Sequence, residues 1–404
     1  MKSLFDYTKI YRLPWNLADN ASTWLEVTTA CDLKCLGCYR ENTGLHKKVQ
    51  ELEKELELIK KLRKTDSIAI AGGEPLLHPD LEKIVFLIKK KGWKPCLVTN
   101  GNVISEDILT RLKKAGLYKI SFHVDSRQNR PGWENKNESE LNLLRRQYAE
   151  LVKRIGGISC NFIATIYPET LNEIGDIVLW AKKNIALVNA LHFTCHRAAS
   201  YDCDYFVNGE KVDIAKTAYL LPKATGEKVD VFQIVDKFRE IYPDLEPCAY
   251  LNGTEKADSV KWLFSGIIGN DQEVYGYIGS AALEFVQSFY HFFKGRYFST
   301  LRPSRFGIWS WLSWMWIFDY LSRQALRKYF KKLSFPPQNL YLQMISVVQP
   351  IDILPDGRQD MCDGCPDQTI WRGELVYSCR LDEYLKFGCL CNTCFKEKVI
   401  DRKD

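Results

Sequence analysis

Six short apolar runs, at residues 24–28, 68–71, 95–99, 119–124, 159–166 and 188–193, are separated by longer segments with helical periodicity. The segment 47–64 shows that periodicity in Val49, Leu52, Leu56 and Ile59, a recurrence that gathers apolar side chains on one helix face. Further helices are expected over 80–91, where the preceding Pro79 suits a helix start, and over 106–115, 138–155 and 171–183. A chain that alternates strand and helix in this way is of the α/β class. It folds around a parallel sheet and carries its functional side chains at the carboxyl ends of the strands.

The first of those ends carries Cys31, Cys35 and Cys38, spaced C-x3-C-x2-C directly after the run 24–28. A four-iron cluster that only carries electrons takes four cysteine ligands. A loop with three therefore leaves one iron open to bind something else. The second run ends in Gly72-Gly73-Glu74-Pro75. The glycines permit close backbone approach and unusual dihedrals, Glu74 offers its carboxylate to an ammonium group, and Pro75 stiffens the exit. A lone Gly-Gly-Glu-Pro reads as ordinary loop punctuation. The two motifs together, in this order and each at a strand end, resemble those of the radical S-adenosylmethionine (SAM) superfamily.

The resemblance covers roughly the first half of the chain and implies a partial (β/α)6 barrel over residues 1–200. It implies that Cys31, Cys35 and Cys38 hold a [4Fe–4S] cluster with an open iron and that Tyr39 packs near the cofactor. Gly72, Gly73, Glu74 and Pro75 would receive the methionyl amino group of SAM. The chemistry implied is one-electron cleavage of SAM to methionine and a 5′-deoxyadenosyl radical, which takes a hydrogen atom from a substrate over the barrel mouth. A one-electron donor such as a flavodoxin or ferredoxin would supply the electron. Asn100, Asp125 and Ser126, at later strand ends, are the candidate contacts for ribose hydroxyls and the methionyl carboxylate, with His123, Asn161 and Thr165 nearby. Each serves equally well as a cap or turn hydrogen bond, and His123 reads either as a core histidine or as a residue near substrate. Arg127 and Arg130 suit a phosphate or carboxylate, or simply solvent.

With 404 residues and 46% hydrophobic content, the chain can bury a large core and fill about two to three domains. The net charge of +6 is mild, and no basic run with interleaved aromatics marks a nucleic-acid channel, so nucleic acid is not an expected partner. The N-terminal residues lack the apolar stretch of a signal peptide. Fourteen cysteines in such a chain read as metal ligands rather than disulfides, and a reducing, cytoplasmic setting is expected.

A second cysteine field, Cys362, Cys365, Cys379, Cys389, Cys391 and Cys394, marks residues 341–404 as a cysteine-rich domain. It is similar to the auxiliary-cluster extensions of many radical SAM enzymes, although its spacing departs from that of the peptide-modifying group. That similarity implies an auxiliary [4Fe–4S] cluster on Cys362, Cys365 and Cys379, with a fourth ligand from Cys394, Cys391, Cys389 or Cys248. The paired spacing of Cys362/Cys365 and Cys391/Cys394 also fits a tetrahedral zinc or mononuclear iron site. Cys96, Cys160, Cys195 and Cys203 read as small core residues.

Residues 201–340 are expected to be an aromatic-rich helical region. Trp309, Trp311, Trp314 and Trp316 lie within eight residues, followed by Arg323, Arg327, Lys328, Lys331 and Lys332. The run is too short to span a bilayer, which takes about 20 residues. Tryptophan beside cations suits a helix at a lipid interface on the inner face of a membrane, and equally a buried helix or a protein interface. The barrel motifs, the Cys-Asp-Gly-Cys-Pro tail and this aromatic middle together resemble the branch that includes archaeal tetraether lipid synthases, which implies a large, lipid-like substrate. A peptide-modifying maturase and a non-enzymatic iron–sulfur or zinc scaffold are the alternatives.

Overall fold

The computed structural model describes residues 9–196, 203–214, 229–300, 318–332 and 339–395. Its first part is β1 (Tyr11–Arg12), β2 (Ser22–Thr28), α1 (Val49–Leu62), β3 (Ser67–Gly72), α2 (Leu81–Lys90), β4 (Lys94–Thr99), α3 (Glu106–Ala115), β5 (Lys119–His123), α4 (Glu138–Ile155), β6 (Ser159–Ile166), α5 (Ile174–Lys183) and β7 (Ala190–Cys195). The six expected strands are β2 to β7, paired in chain order and all parallel. Helices pack on the outer face: Leu52, Leu56 and Ile59 of α1 are fully buried, and strands covered on both faces are apolar along their length, as in β3. The ends are set locally. Ser105 caps α3, Gly116 closes it in the left-handed region, and Asn137 and Glu140 form a capping box at α4.

The rest of the chain is β8 (Cys203–Val207), β9 (Glu210–Val212), α6 (Val231–Ile241), β10 (Ala249–Asn252), β11 (Val260–Gly269), β12 (Val274–Tyr277), α7 (Ser280–Lys294), α8 (Tyr320–Lys331), β13 (Tyr341–Val348), β14 (Asp352–Ile353), β15 (Gln359–Asp360), β16 (Gln368–Trp371), β17 (Glu374–Tyr377), α9 (Leu381–Phe387) and β18 (Asn392–Phe395). The middle is thus mixed rather than helical. Strand β13 adds parallel to β7, β11 adds antiparallel to β13, β10 follows, and β1 closes the row, while β12 pairs with β11. The barrel strands are therefore one part of an 11-stranded sheet. The segment 305–316, with its four tryptophans, lies outside the described residues.

The aromatic residues of α7 and the turn after it sit at the amino ends of the barrel strands. Tyr290 donates its hydroxyl to Asp66 just before β3 (2.8 Å), His291 pairs with Asp19 before β2 (2.7 Å), and Lys94 at the start of β4 donates to Thr300 O (2.9 Å). These rings therefore stand at the end of the barrel opposite the cysteine loop.

The loop Cys362–Cys365 joins the two edges of the sheet. From the β10 side, Asp363 N–H donates to Asn252 O (2.9 Å), Gly253 and Cys362 form an antiparallel bridge, and Arg12 pairs with Asp363. From the β2 side, Asn20 Nδ2 donates to Gly364 O (2.9 Å) and Arg63 Nη2 to Cys365 O (2.6 Å). The fit leaves no room at Gly364. It has φ +69°, and a Cβ there would lie 2.2 Å from Trp15 O. Gly364→Ala is expected to lower stability by about 2 kcal/mol or more in denaturant titration, whereas the same change at exposed Gly373 should cost less, since a Cβ there meets nothing.

Candidate active site

The Gly-Gly-Glu-Pro turn at the end of β3 and the cysteine loop after β2 are built against each other. Gly73 N–H donates to Thr28 O (2.7 Å) and Glu74 N–H to Ala30 O (2.7 Å). A Cβ on Gly72 would stand 2.2 Å from Thr28 O, and one on Gly73 2.3 Å from Ala30 O. Only glycine lets the two backbones approach so closely. Pro75 then opens a 3₁₀ turn, Pro75–Leu77, which Glu74 caps by accepting from Leu76 N–H (2.9 Å).

Glu74 is fully buried. Its Oε1 also accepts from Thr99 Oγ1 (2.6 Å) and its Oε2 from Asn100 N–H (2.6 Å). Burial pushes its carboxyl up to about 7, against the lowering effect of those donors. Two carboxylate oxygens offer about four lone-pair sites, so one remains for a cationic donor. Asn100 does not reach toward open space. Its Nδ2 donates to Asp32 Oδ1 (2.7 Å), beside Cys31 Sγ at 4.0 Å, and its Oδ1 accepts from Asn102 N–H (2.7 Å). Asn100 thereby ties the end of β4 to the cysteine loop.

Cys31, Cys35 and Cys38 are brought together. Burial pushes all three thiols up; Cys31 also feels the charge of Cys38, and Cys35 that of both others. Gly37 N–H, between them, donates to Tyr167 Oη (3.0 Å), and Tyr167 stacks on His196 with ring centroids 4.7 Å apart. Leu36 N–H donates to Arg127 O (2.8 Å). Tyr39 is turned toward the C-terminal extension. Burial raises its phenol first, and Glu26, Arg40, Asp367 and Cys379 are the charged or titratable groups around it. Next to it Arg40 is buried between Glu26 (2.8 Å) and Asp382, and donates to Ser378 O (3.1 Å).

Asp125 sits at the end of β5 with its carboxylate 2.8 Å from His123 Nε2. Burial raises it, but the hydrogen bonds from His123, Arg127 N–H and Thr165 N–H outweigh that and hold it below the usual carboxylate range. Ser126 N–H donates to Glu138 Oε1 (2.7 Å). Arg130 is buried rather than solvated, donating to Asn100 O (2.8 Å), His123 O (3.1 Å) and Gln128 Oε1 (2.9 Å). A cleft of about 570 Å³ opens beside the cysteine loop at Leu36. Its walls include Asp125, Ser126, Arg127, Trp133 and Glu169, a mostly polar lining.

In the second cysteine field, Cys362, Cys365 and Cys379 converge. Tyr377 is raised by burial and then by all three of these thiols. Cys391 is held elsewhere, its N–H on Glu383 Oε2 (2.9 Å), in an apolar group with Cys203 and Tyr205. Cys394 lies on β18, paired with β8. Cys248 is buried in an apolar cluster, its Sγ 3.3 Å from Phe264 O. Among the described residues no three His, Cys, Asp or Glu side chains surround a single-ion position, at this cysteine field or at Cys31, Cys35 and Cys38. A four-iron cluster seats each ligand on a different iron, which asks for a wider triangle, and three soft thiol donors on each side are the right chemistry for it. Cys96, Cys160, Cys195 and Cys203 are buried, as expected.

Sequence reasoning missed Asp32, Arg40, Tyr167 and His192. Inside the barrel, His192 Nδ1 lies 2.7 Å from Ser346 Oγ and Nε2 lies 3.2 Å from Asn161 Nδ2. Burial pulls its imidazole down to about 3, with Lys119 adding to the effect. As the pH falls from 6.5 toward 3, the unfolded chain takes up a proton that the folded one refuses, so stability falls. His192→Asn should weaken that acid-side loss, measured as the slope of unfolding free energy against pH.

Residues 25–181 match the Radical SAM superfamily. Among curated relatives, a 7,8-dihydro-6-hydroxymethylpterin dimethyltransferase of Methanocaldococcus jannaschii is 29% identical, covering 42% of this chain and 35% of its own. A probable GTP 3',8-cyclase of Methanococcus vannielii is 27% identical, covering 42% of this chain and 57% of its own. The chain thus spans between about a third and three fifths of these relatives. Among solved structures, SuiB of Streptococcus suis bound to S-adenosylmethionine aligns with a TM-score of 0.41 at 17% identity, covering 56% of this chain and 48% of that one.

Proposed function

We propose that this chain, whose residues 25–181 are a radical SAM domain, is an enzyme that reductively cleaves SAM and takes a hydrogen atom from a substrate at the carboxyl face of its barrel. The observation that carries the reading is the joint construction of the Cys31, Cys35 and Cys38 loop and the Glu74 turn, with Asn100 and Asp32 locking one to the other. A non-enzymatic scaffold has no need for that coupling.

Cys31, Cys35 and Cys38 would hold the cluster, and Glu74 the amino group of SAM. When bound, the pair supplies one-electron cleavage of a sulfonium and hydrogen-atom abstraction from carbon. The protein's own part is positional. Glu74 gives up its proton to receive an ammonium group, with Thr99, Leu76 and Asn100 fixing both oxygens. Tyr167 and Arg127 hold the loop backbone, so the thiols keep one spacing as substrate arrives. Asp125, kept ionised and tied to His123, Arg127 N–H and Thr165 N–H, fits a role in orienting the ends of β5 and β6. Cys362, Cys365 and Cys379 are the ligand set for an auxiliary cluster.

A polar substrate is better supported than a lipid. The cleft at Leu36 is polar, the rings of α7 lie at the other end of the strands, and the two curated relatives are named for a pterin and for GTP. The lipid reading rests on sequence resemblance alone. Anaerobic lipid extracts from cells with and without the gene are expected to be identical. Chain-linked or chain-modified species that depend on the gene would overturn the polar assignment.

Two further outcomes test the sites. Glu74→Gln should weaken SAM binding by about ten- to a hundredfold in anaerobic calorimetry, and unchanged affinity would favour a scaffold. Cys365→Ser should lose one cluster's worth of iron and sulfide from reconstituted protein, whereas Cys391→Ser should keep it.

A further inference from the structure

Arg40, Arg63 and Arg380 are buried beside the second cysteine field, and two of them have carboxylate partners. Arg40, which reaches Ser378 O next to Cys379, lies between Glu26 and Asp382. Arg380, the residue after Cys379, is held by Glu383, with Nη2 on Oε2 at 2.5 Å. Arg63 differs from both. It is 2% exposed, it follows the last residue of α1, and its guanidinium bonds only to backbone carbonyl groups. Nη2 donates to Cys365 O (2.6 Å) and Asn16 O (3.4 Å), while Nε and Nη1 are buried with no hydrogen-bond partner. Burying a charge is unfavourable unless it is paired, and idle buried donors add to that cost.

The charged or titratable groups that act on Arg63 are, strongest first, Cys365, Asp367, Asp19 and Tyr377. Asp19 is engaged by His291 (2.7 Å), and Asp367 feels Lys119 ahead of Arg63. Tyr377 stands among the three thiols of Cys362, Cys365 and Cys379. The group that Arg63 feels first is therefore a member of the ligand set itself. As thiols those cysteines carry no charge. As ligands they are thiolates, and their summed charge outweighs that of a four-iron core, so the loaded site is anionic.

We propose that Arg63 is the counter-charge built into the protein for the auxiliary cluster on Cys362, Cys365 and Cys379, and that it raises that cluster's reduction potential. The proposal rests on the auxiliary-cluster reading of these three cysteines. An added electron makes the cluster more negative, and a fixed cation in a dry site stabilises the reduced form more than the oxidised one. Arg63 lies within residues 25–181, so a side chain of the radical SAM domain sets a property of the C-terminal cysteine field.

The test is a mediated dithionite titration, read by electron paramagnetic resonance, of the reconstituted full chain carrying Cys31→Ala/Cys35→Ala/Cys38→Ala, so that the second cluster is observed alone. Adding Arg63→Gln should leave iron and sulfide content unchanged. At the parent's midpoint, its ratio of reduced to oxidised cluster should fall by about tenfold or more. Arg63→Lys, which keeps the charge, should recover most of that loss. A cluster lost in Arg63→Gln and kept in Arg63→Lys would also support the proposal. An unchanged midpoint in Arg63→Gln, an equal fall in both variants, or loss of the cluster from both would overturn it. Wild-type protein that takes up no more iron than Cys365→Ser would remove the auxiliary-cluster reading and the proposal together, whereas iron held at an unchanged midpoint in Arg63→Gln removes the proposal alone.

Discussion

The loop from Thr29 to Leu45 carries three thiols and is not part of any strand, so its backbone polar groups have to be satisfied by the structure around it. The Gly72-Gly73 turn does most of this. It brings two N–H groups against Thr28 O and Ala30 O at a separation that any side chain would forbid. Asn42 Nδ2 then takes Cys31 O (2.7 Å), Arg127 O takes Leu36 N–H, and Tyr167 Oη takes Gly37 N–H. Each partner comes from the carboxyl end of a different barrel strand or from the loop itself. The three thiols are consequently referenced to the barrel as a whole, which is what a cofactor shared between a loop and a strand-end carboxylate requires.

Arg40 extends that reference to the C-terminal extension. It is buried between Glu26 on β2 and Asp382 on α9 and reaches Ser378 O, one residue before Cys379. A buried ion pair contributes little net stability when intact, but removing one partner leaves an uncompensated charge and costs about 3–5 kcal/mol. Its role here is specificity of placement. Together with the Cys362–Cys365 loop wedged between the sheet edges, it fixes the second thiol group relative to the first. The two cysteine fields are one construction, although more than 300 residues separate Cys38 from Cys362.

The barrel strands and their helices were legible because their signals are local. Period, Pro79 and strand-end motifs put β2 to β7 and α1 to α4 close to their observed ranges, and the cysteine and Gly-Gly-Glu-Pro motifs fell at the ends of the first two barrel strands. The extension of the sheet was not legible. β13 pairs with β7 and β11 with β13 across long stretches of chain, and nothing in the local pattern of either names its partner. The same holds for Tyr167 and His192, whose roles exist only through distant contacts. Arg130 was read from its loop position as a phosphate or carboxylate ligand or a solvated side chain, whereas it is the buried donor to carbonyl groups at the ends of β4 and β5. The aromatic content of α7 was visible, but which end of the barrel it occupies depends on Asp19 and Asp66, which sequence spacing does not connect to it.

The central claim is that the loop of Cys31, Cys35 and Cys38, locked to Glu74, forms a site for reductive SAM cleavage. The most direct measurement is anaerobic reconstitution with iron and sulfide, dithionite reduction, addition of SAM and assay for 5′-deoxyadenosine, with Cys35→Ala alongside. Production by the wild type and its loss in Cys35→Ala, with the iron and sulfide of the second field retained, is the result the account predicts. Reconstituted protein that binds no SAM and makes no 5′-deoxyadenosine, or a Cys35→Ala variant as active as the wild type, would contradict it.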